Sequence, residues 1–174
     1  VAVVVVATAG SASANSYVTL AEAESYFESR LNVTAWSAAT TDTKNRAIVQ
    51  ATRHLDSTLD WVGERSSTSQ ALAWPRTGVL TRDEDDYLDD GTIPQVLKDA
   101  TCEQALAELG ANRASDPGGR GLRRVQAGDV EVEFDGATSA VQYVLADLVV
   151  AMLAPWIASQ TAGVGFTARY LARA

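Results

Sequence analysis

The sequence predicts a mainly α fold: a small helical bundle of about four helices with a short β-hairpin, an N-terminal strand and an extended C-terminal tail. Three observations carry this. Thr19-Leu20-Ala21-Glu22 has capping-box spacing, in which the Thr hydroxyl and the Glu carboxylate satisfy opposing free N–H groups at a helix start. Ile48, Ala51, Leu55, Leu59 and Val62 recur at three- or four-residue intervals, the pattern of one buried helical stripe. Val130, Val132 and Phe134 alternate with Glu131, Glu133 and Asp135, the period of a half-buried strand.

Each element follows in order. The run Val1 to Ala7 lacks the basic flank of a secretory signal and its apolar stretch is short, so residues 1–18 read as an arm or edge strand. Leu20, Ala23, Phe27 and Leu31 share a face and predict a first helix over about 20–31. A second helix starts at the Thr41-Asp42-Thr43 caps and runs along the Ile48 to Val62 stripe until Gly63 closes it. Between residues 64 and 92 no periodicity survives. Ser66 to Ser69, Pro75, Gly78 and Gly91 punctuate a long excursion, and long ordered loops usually carry contacts.

Thr92 as cap, Pro94 in the first turn and Gly110 at the far end bracket a third helix. Glu103 and Gln104 interrupt its apolar face. Residues 111–136 combine a Gly-rich loop with the hairpin, whose strands would be Leu122 to Val125 and Val130 to Phe134. A fourth, strongly apolar helix occupies 139–158. Asp147 near its middle argues against a bilayer span, so burial on several sides, by its own fold or by neighbouring subunits, is expected. The tail, 159–174, carries Phe166, Arg169, Tyr170 and Arg173 and no acid, as a docking arm would. The chain of 174 residues, 47% hydrophobic and 21% charged, thus reads as one folded domain.

Charge narrows the function. The net charge of −8 disfavours a general nucleic-acid binder, whose affinity comes from cations that displace phosphate counterions. The deficit is concentrated: Asp83, Glu84, Asp85, Asp86, Asp89 and Asp90 oppose only Arg82 within nine residues. A solvated, repelling loop is the expectation there. The run fails as an EF-hand, since Leu88 stands where the sixth position needs Gly.

Little in the sequence points to chemistry. Cys102 and His54 are the sole cysteine and histidine, so an intramolecular disulfide, a Cys-rich metal site and a two-His zinc site are all excluded. Both fall on predicted helices, where a buried thiol and a surface or cap-proximal imidazole are ordinary. No G-x-S-x-G, H-E-x-x-H or phosphate-cradling Gly-rich loop is present. The expectation is no catalytic residue, no cofactor and no metal. Trp36, Trp61, Trp74 and Trp156 lack interleaved basic residues apart from Arg76 and read as core or interface anchors, not as stacking platforms for single strands.

Ala14-Asn15-Ser16-Tyr17-Val18, Ala21-Glu22-Ala23 and Tyr26 resemble the opening of the head-tail connector (adaptor, head completion) proteins of long-tailed bacteriophages. Ala51-Thr52, Leu55-Asp56, Trp61 and Gly63, then Gln70 to Arg76 with its A-W-P-R segment, continue the likeness, and Ile93-Pro94 through Leu106 complete it. Gly128 to Phe134 resembles the family's Gly turn and strand. Some members are labelled DnaT-like single-strand DNA-binding proteins. The acidic insertion at 83–90 and the apolar final helix with its tail depart from the pattern.

The resemblance implies a non-enzymatic virion protein of the neck, made in the bacterial host cytoplasm. It implies a homo-oligomeric ring of roughly twelve subunits that docks under the portal, meets a stopper or tail-completion protein, and extends the DNA channel toward the tail for genome ejection. DNA would pass without specific binding, and no membrane is involved. Asn15, Tyr17, Trp74, Pro75 and Arg76 are then structural family positions; Phe166, Arg169, Tyr170 and Arg173 a portal-docking tail; and the 83–90 carboxylates a channel- or partner-facing loop. The competing expectation is a DnaT-like single-stranded DNA-binding module using Arg120, Arg123 and Arg124.

Overall fold

In a computed structural model the described residues are 2–111, 124–127, 130–133 and 144–160. They form five α-helices, α1 (Leu20–Glu28), α2 (Thr34–Ala38), α3 (Thr41–Thr58), α4 (Gln95–Gly110) and α5 (Asp147–Leu153), the last followed by a 3-10 turn at Ala154–Trp156. Six short strands are β1 (Leu59–Trp61), β2 (Glu64–Arg65), β3 (Arg76–Thr77), β4 (Arg124–Ala127), β5 (Val130–Glu133) and β6 (Ile157–Gln160). They pair as three two-stranded antiparallel sheets, β1 with β6, β2 with β3 and β4 with β5. The fold is mainly helical with a hairpin, as the sequence predicts.

The capping box forms as read. Thr19 N–H donates to Glu22 Oε2 at 2.8 Å, and Glu22 N–H donates to Thr19 Oγ1 at 3.2 Å. Helix α1 ends three residues before the predicted limit, so Leu31 lies beyond it and is 79% exposed instead of buried. The unpredicted α2 carries Trp36, whose indole N–H donates to Glu24 while its ring packs on Phe27. Thr40, one residue before the expected caps, accepts from Thr43 N–H at the start of α3.

Three further boundaries move for tertiary reasons. The stripe ending in Leu59 and Val62 is helical only to Thr58, because Leu59 to Trp61 pair with Gln160 to Ile157. Gly63 therefore closes a strand instead of a helix, at φ 71° and against Thr77 O. Pro94, not Thr92, sits at the N-cap of α4. The apolar stretch expected as one helix to about 158 divides into α5, the 3-10 turn with Pro155 in its first turn, and strand β6; residues 139–143 lie outside the described set.

The helix buried on several sides is α4. Leu97 and Ala100 join one core cluster with Leu55, Trp61, Trp74, Leu145, Val149, Leu153 and Trp156. Cys102 and Ala105 join a second with Phe27, Trp36, Ile48 and Ala51. A central helix needs no single apolar stripe. Its interrupting polar residues are buried and satisfied: Glu103 takes Arg30 Nε and Tyr26 Oη, both at 2.7 Å, and Gln104 donates to Val144 O and accepts from Ala146 N–H.

The N-terminal segment is the arm, of the two readings expected, and forms no strand. Its partners are mostly side chains, so no ladder forms: Val3 N–H donates to Asp42, Asn45 donates to Val3 O, and Asn15 clamps Val6 N–H and Val4 O. Those bonds fasten the arm to α3 within its own chain. The predicted hairpin is present as β4 and β5, with Arg124 opposite Glu133 and Ala127 opposite Val130, but its first strand is Arg124–Ala127 instead of Leu122 to Val125; residues 122, 123 and 134 lie outside the described set.

Candidate functional site

The two sequence motifs meet in one corner. Tyr17, 1% exposed, donates its hydroxyl to Asp56 near the C-terminal end of α3 and accepts Trp74 N–H at 3.3 Å. The other Asp56 oxygen accepts Ala73 N–H at 2.9 Å. Burial, and then Asp56, push the Tyr17 phenol well above its ordinary range, while burial raises the Asp56 carboxyl. Among the described residues the pair is held by a hydroxyl and a backbone amide, with no salt bridge to Asp56.

Arg76 completes the corner. Its Nε donates to Val62 O at 2.7 Å, Nη1 to Ala73 O at 3.2 Å, and Nη2 to Trp61 O at 3.3 Å and to Gly63 O. A planar five-donor fork suits four carbonyls that converge from residues 61–63 and 73. The Trp74-Pro75 peptide is cis. Gln70 Nε2 donates to Pro75 O at 3.0 Å. Trp74 sits edge-on between Trp61 and Trp156, with centroids at 5.7 and 6.2 Å. Tyr17 and Asp56 tie the Ala73–Trp74 backbone of the excursion to α3, Arg76 ties it to the β1–β2 turn, and Asn15 clamps the N-terminal arm instead.

That excursion ends in the acidic loop. Leu80 bridges Tyr87, Thr81 N–H donates to Asp86 O, and Leu88 N–H to Val79 O, so the loop is closed by its own backbone bonds. Trp156 anchors its base through Nε1 to Leu80 O at 3.0 Å. Asp83, Glu84, Asp85, Asp86, Asp89 and Asp90 are all exposed, and none enters a salt bridge among the described residues. They do not converge on a point that could hold a metal ion. Tyr87, in their midst, is 66% exposed and borders an open depression of about 530 Å³ with Thr77, Gly78, Leu88, Asp89 and Asp90.

The remaining reactive groups are kept apart. His54, expected near the surface, is buried between α3 and α4, with Nδ1 at 2.8 Å from Glu108 and Nε2 at 2.6 Å from Gln50. Cys102 lies in the second core cluster, where burial, with Asp99 and Glu103 nearby, pushes its thiol up to about 12. A thiol held protonated is a poor nucleophile. Phe166, Arg169, Tyr170 and Arg173, together with Arg120 and Arg123, lie outside the described residues, and Arg124 is described only as the first residue of β4. No helix among the described residues is long and apolar enough to cross a membrane.

Among known families, the model described as "Putative DnaT-like ssDNA binding protein" matches residues 1–171. The chain belongs to this DnaT-like family. No curated protein and no solved structure matches it. The match spans both motifs of the Tyr17 corner as well as the acidic loop. Reading the DnaT-like sequence alone missed Asp56, Gln70 and Glu103 as organising residues. For Asp56 and Glu103 the local signal is a polar residue beside an apolar stripe; Gln70, in the aperiodic excursion, has none. It also missed Tyr87, an aromatic residue set inside a run of carboxylates.

Proposed function

We propose that this DnaT-like protein is a non-enzymatic structural adaptor of a phage neck, assembling as a homo-oligomeric ring that docks under a portal and continues the DNA channel. The observation that carries the reading is where the aromatic and charged groups go. Trp36, Trp61, Trp74 and Trp156 are all buried, whereas a single-strand groove displays aromatics beside cations. What the described surface displays instead is a row of carboxylates, which repels phosphate and favours passage over grip. The motif residues Tyr17, Trp74 and Arg76 support the same view, because their polar groups are spent on bonds within the scaffold.

The test is light scattering of the full chain with purified portal at high local concentration. A portal-dependent ring is expected; free monomer alone would overturn the adaptor. Monomer without portal would not, since a ring can need its template.

A second reading, single-stranded DNA binding, is favoured by the family's description and by Arg120, Arg123 and Arg124 around the hairpin. A fluorescence titration with single-stranded DNA separates the two. Phosphate contacts weaken steeply with salt; the adaptor reading expects no salt-dependent binding.

A further inference from the structure

We propose that His54, Gln50 and Glu108 form a proton-operated latch between α3 and α4, in which protonation of the imidazole turns the Gln50 carboxamide and is transmitted through Gln104 to the residues that lead into α5. The inference is independent of the adaptor reading, since it concerns how one seam of the fold responds to pH.

Donor and acceptor chemistry fixes the starting state. Arg53 donates from Nη1 to Gln50 Oε1, so the Gln50 amide nitrogen is the atom that faces His54 Nε2 at 2.6 Å. An amide nitrogen only donates, which makes Nε2 an acceptor. The ring proton is then on Nδ1, which donates it to Glu108 Oε1 at 2.8 Å. The same carboxylate oxygen accepts Gln104 Nε2 at 2.6 Å. Gln104 in turn donates to Val144 O and accepts the N–H of Ala146, the N-cap residue of α5. One oxygen of α4 thus joins α3 to the start of α5.

A proton added at Nε2 breaks this arrangement at a single point. Both ring nitrogens of an imidazolium donate, so Nε2–H and a Gln50 N–H would oppose each other across the 2.6 Å contact. Relief comes from turning the carboxamide to present Oε1. That releases Arg53, whose 3.4 Å bond is exposed and the longest of the set. On the other side of the ring the bond to Glu108 becomes an ion pair. The side chains of His54 and Glu108 are only 10% and 7% exposed, so little solvent screens the change.

The groups that face the imidazole are Gln50 from α3, with Arg53 behind it, and Glu108 from α4, with Gln104 behind it; residues 144–146 contribute backbone. Among the described residues no Lys or Arg pairs with Glu108, so its charge answers to His54.

The experiment is a pH titration of the isotope-labelled full chain by nuclear magnetic resonance, reading the two ring nitrogens through their couplings to the ring protons. The sequence holds one histidine, so the ring signals assign themselves. Before protonation the Nδ1–H tautomer is expected. As pH is lowered, the Gln50 side-chain amide and the Ala146 backbone amide should shift with the same midpoint as the ring. In Glu108→Gln, checked for folding by circular dichroism, Gln50 should still follow the ring and Ala146 should not. An Nε2–H tautomer before protonation, a ring that stays neutral until the protein unfolds, or a Gln50 or Ala146 amide that ignores the ring overturns the proposal. Those readings need the wild type alone and decide the matter even where Glu108→Gln does not fold. An Ala146 amide that follows the ring equally well in a folded Glu108→Gln overturns the route through Glu108.

Discussion

The hydroxyl of Tyr17 accepts the backbone N–H of Trp74 at 3.3 Å across 57 positions of sequence, while it donates to Asp56. Removing that oxygen by Tyr17→Phe leaves a buried amide and a buried carboxylate oxygen without their partner. Each unsatisfied group costs about 1–3 kcal/mol. Urea denaturation should show a loss of about that size. A double-mutant cycle with Asp56→Asn should show coupling above about 0.5 kcal/mol, as contacting residues do. Strict additivity would mean that the two groups do not act as a unit.

Alkaline pH should act through the same hydroxyl. Tyr17 and Tyr26 are both raised, by burial first and then by Asp56 and Glu103 respectively. For a group whose folded pKa is raised, the stabilisation is complete below the unfolded value of 10.0 and is lost as pH rises from there toward the folded value. Stability should therefore fall above about pH 10, and the phenolate absorbance of these two residues should appear only with unfolding.

Acid pH works with the opposite sign. At Glu103 burial pushes the carboxyl up, but the hydrogen bonds from Arg30 and Tyr26 prevail and hold it below its ordinary 4.5. Glu24 is lowered by Lys44 and then by Trp36. Such groups stabilise above the unfolded pKa, and the contribution is lost as pH falls through the folded one. Denaturation midpoints should drop below about pH 4.5, less steeply in Glu103→Gln. Asp56, raised by burial, pulls the other way, so Asp56→Asn should steepen the acid limb.

Arg76→Lys should not be conservative. One ammonium cannot reach the carbonyls of Trp61, Val62, Gly63 and Ala73 that the guanidinium fork spans. A loss of about 1–3 kcal/mol is expected, read as a lower urea midpoint with unchanged slope.

Gly63→Ala tests the close approach at the β1–β2 turn. Its φ of 71° is in the left-handed region, and a Cβ there would also meet Val79 Cγ2 at 2.7 Å. The cost should exceed the roughly 1 kcal/mol of a left-handed alanine alone. Gly78→Ala, at φ 72° but in open space, isolates the backbone term and should cost less.

By itself the sequence determined what short-range chemistry dictates. The capping box at Thr19, the amphipathic run through Ile48, Ala51 and Leu55, the alternation that becomes β5, and the solvated carboxylates of 83–90 are each local statements in which neighbours along the chain supply the energy. The motif residues were also visible as a group, though not their purpose. What only the tertiary structure decided are the places where a distant partner outbids local preference. Leu59 leaves its helix because Gln160 offers a strand. Glu103 and Gln104 go inward because Arg30, Tyr26 and the backbone at 144–146 satisfy them. Tyr17 meets both Asp56 and the Trp74 amide directly, and Tyr87 stays exposed. Burial of a polar group is favourable only when its hydrogen bonds are met, and sequence patterns seldom reveal partners that lie dozens of residues away.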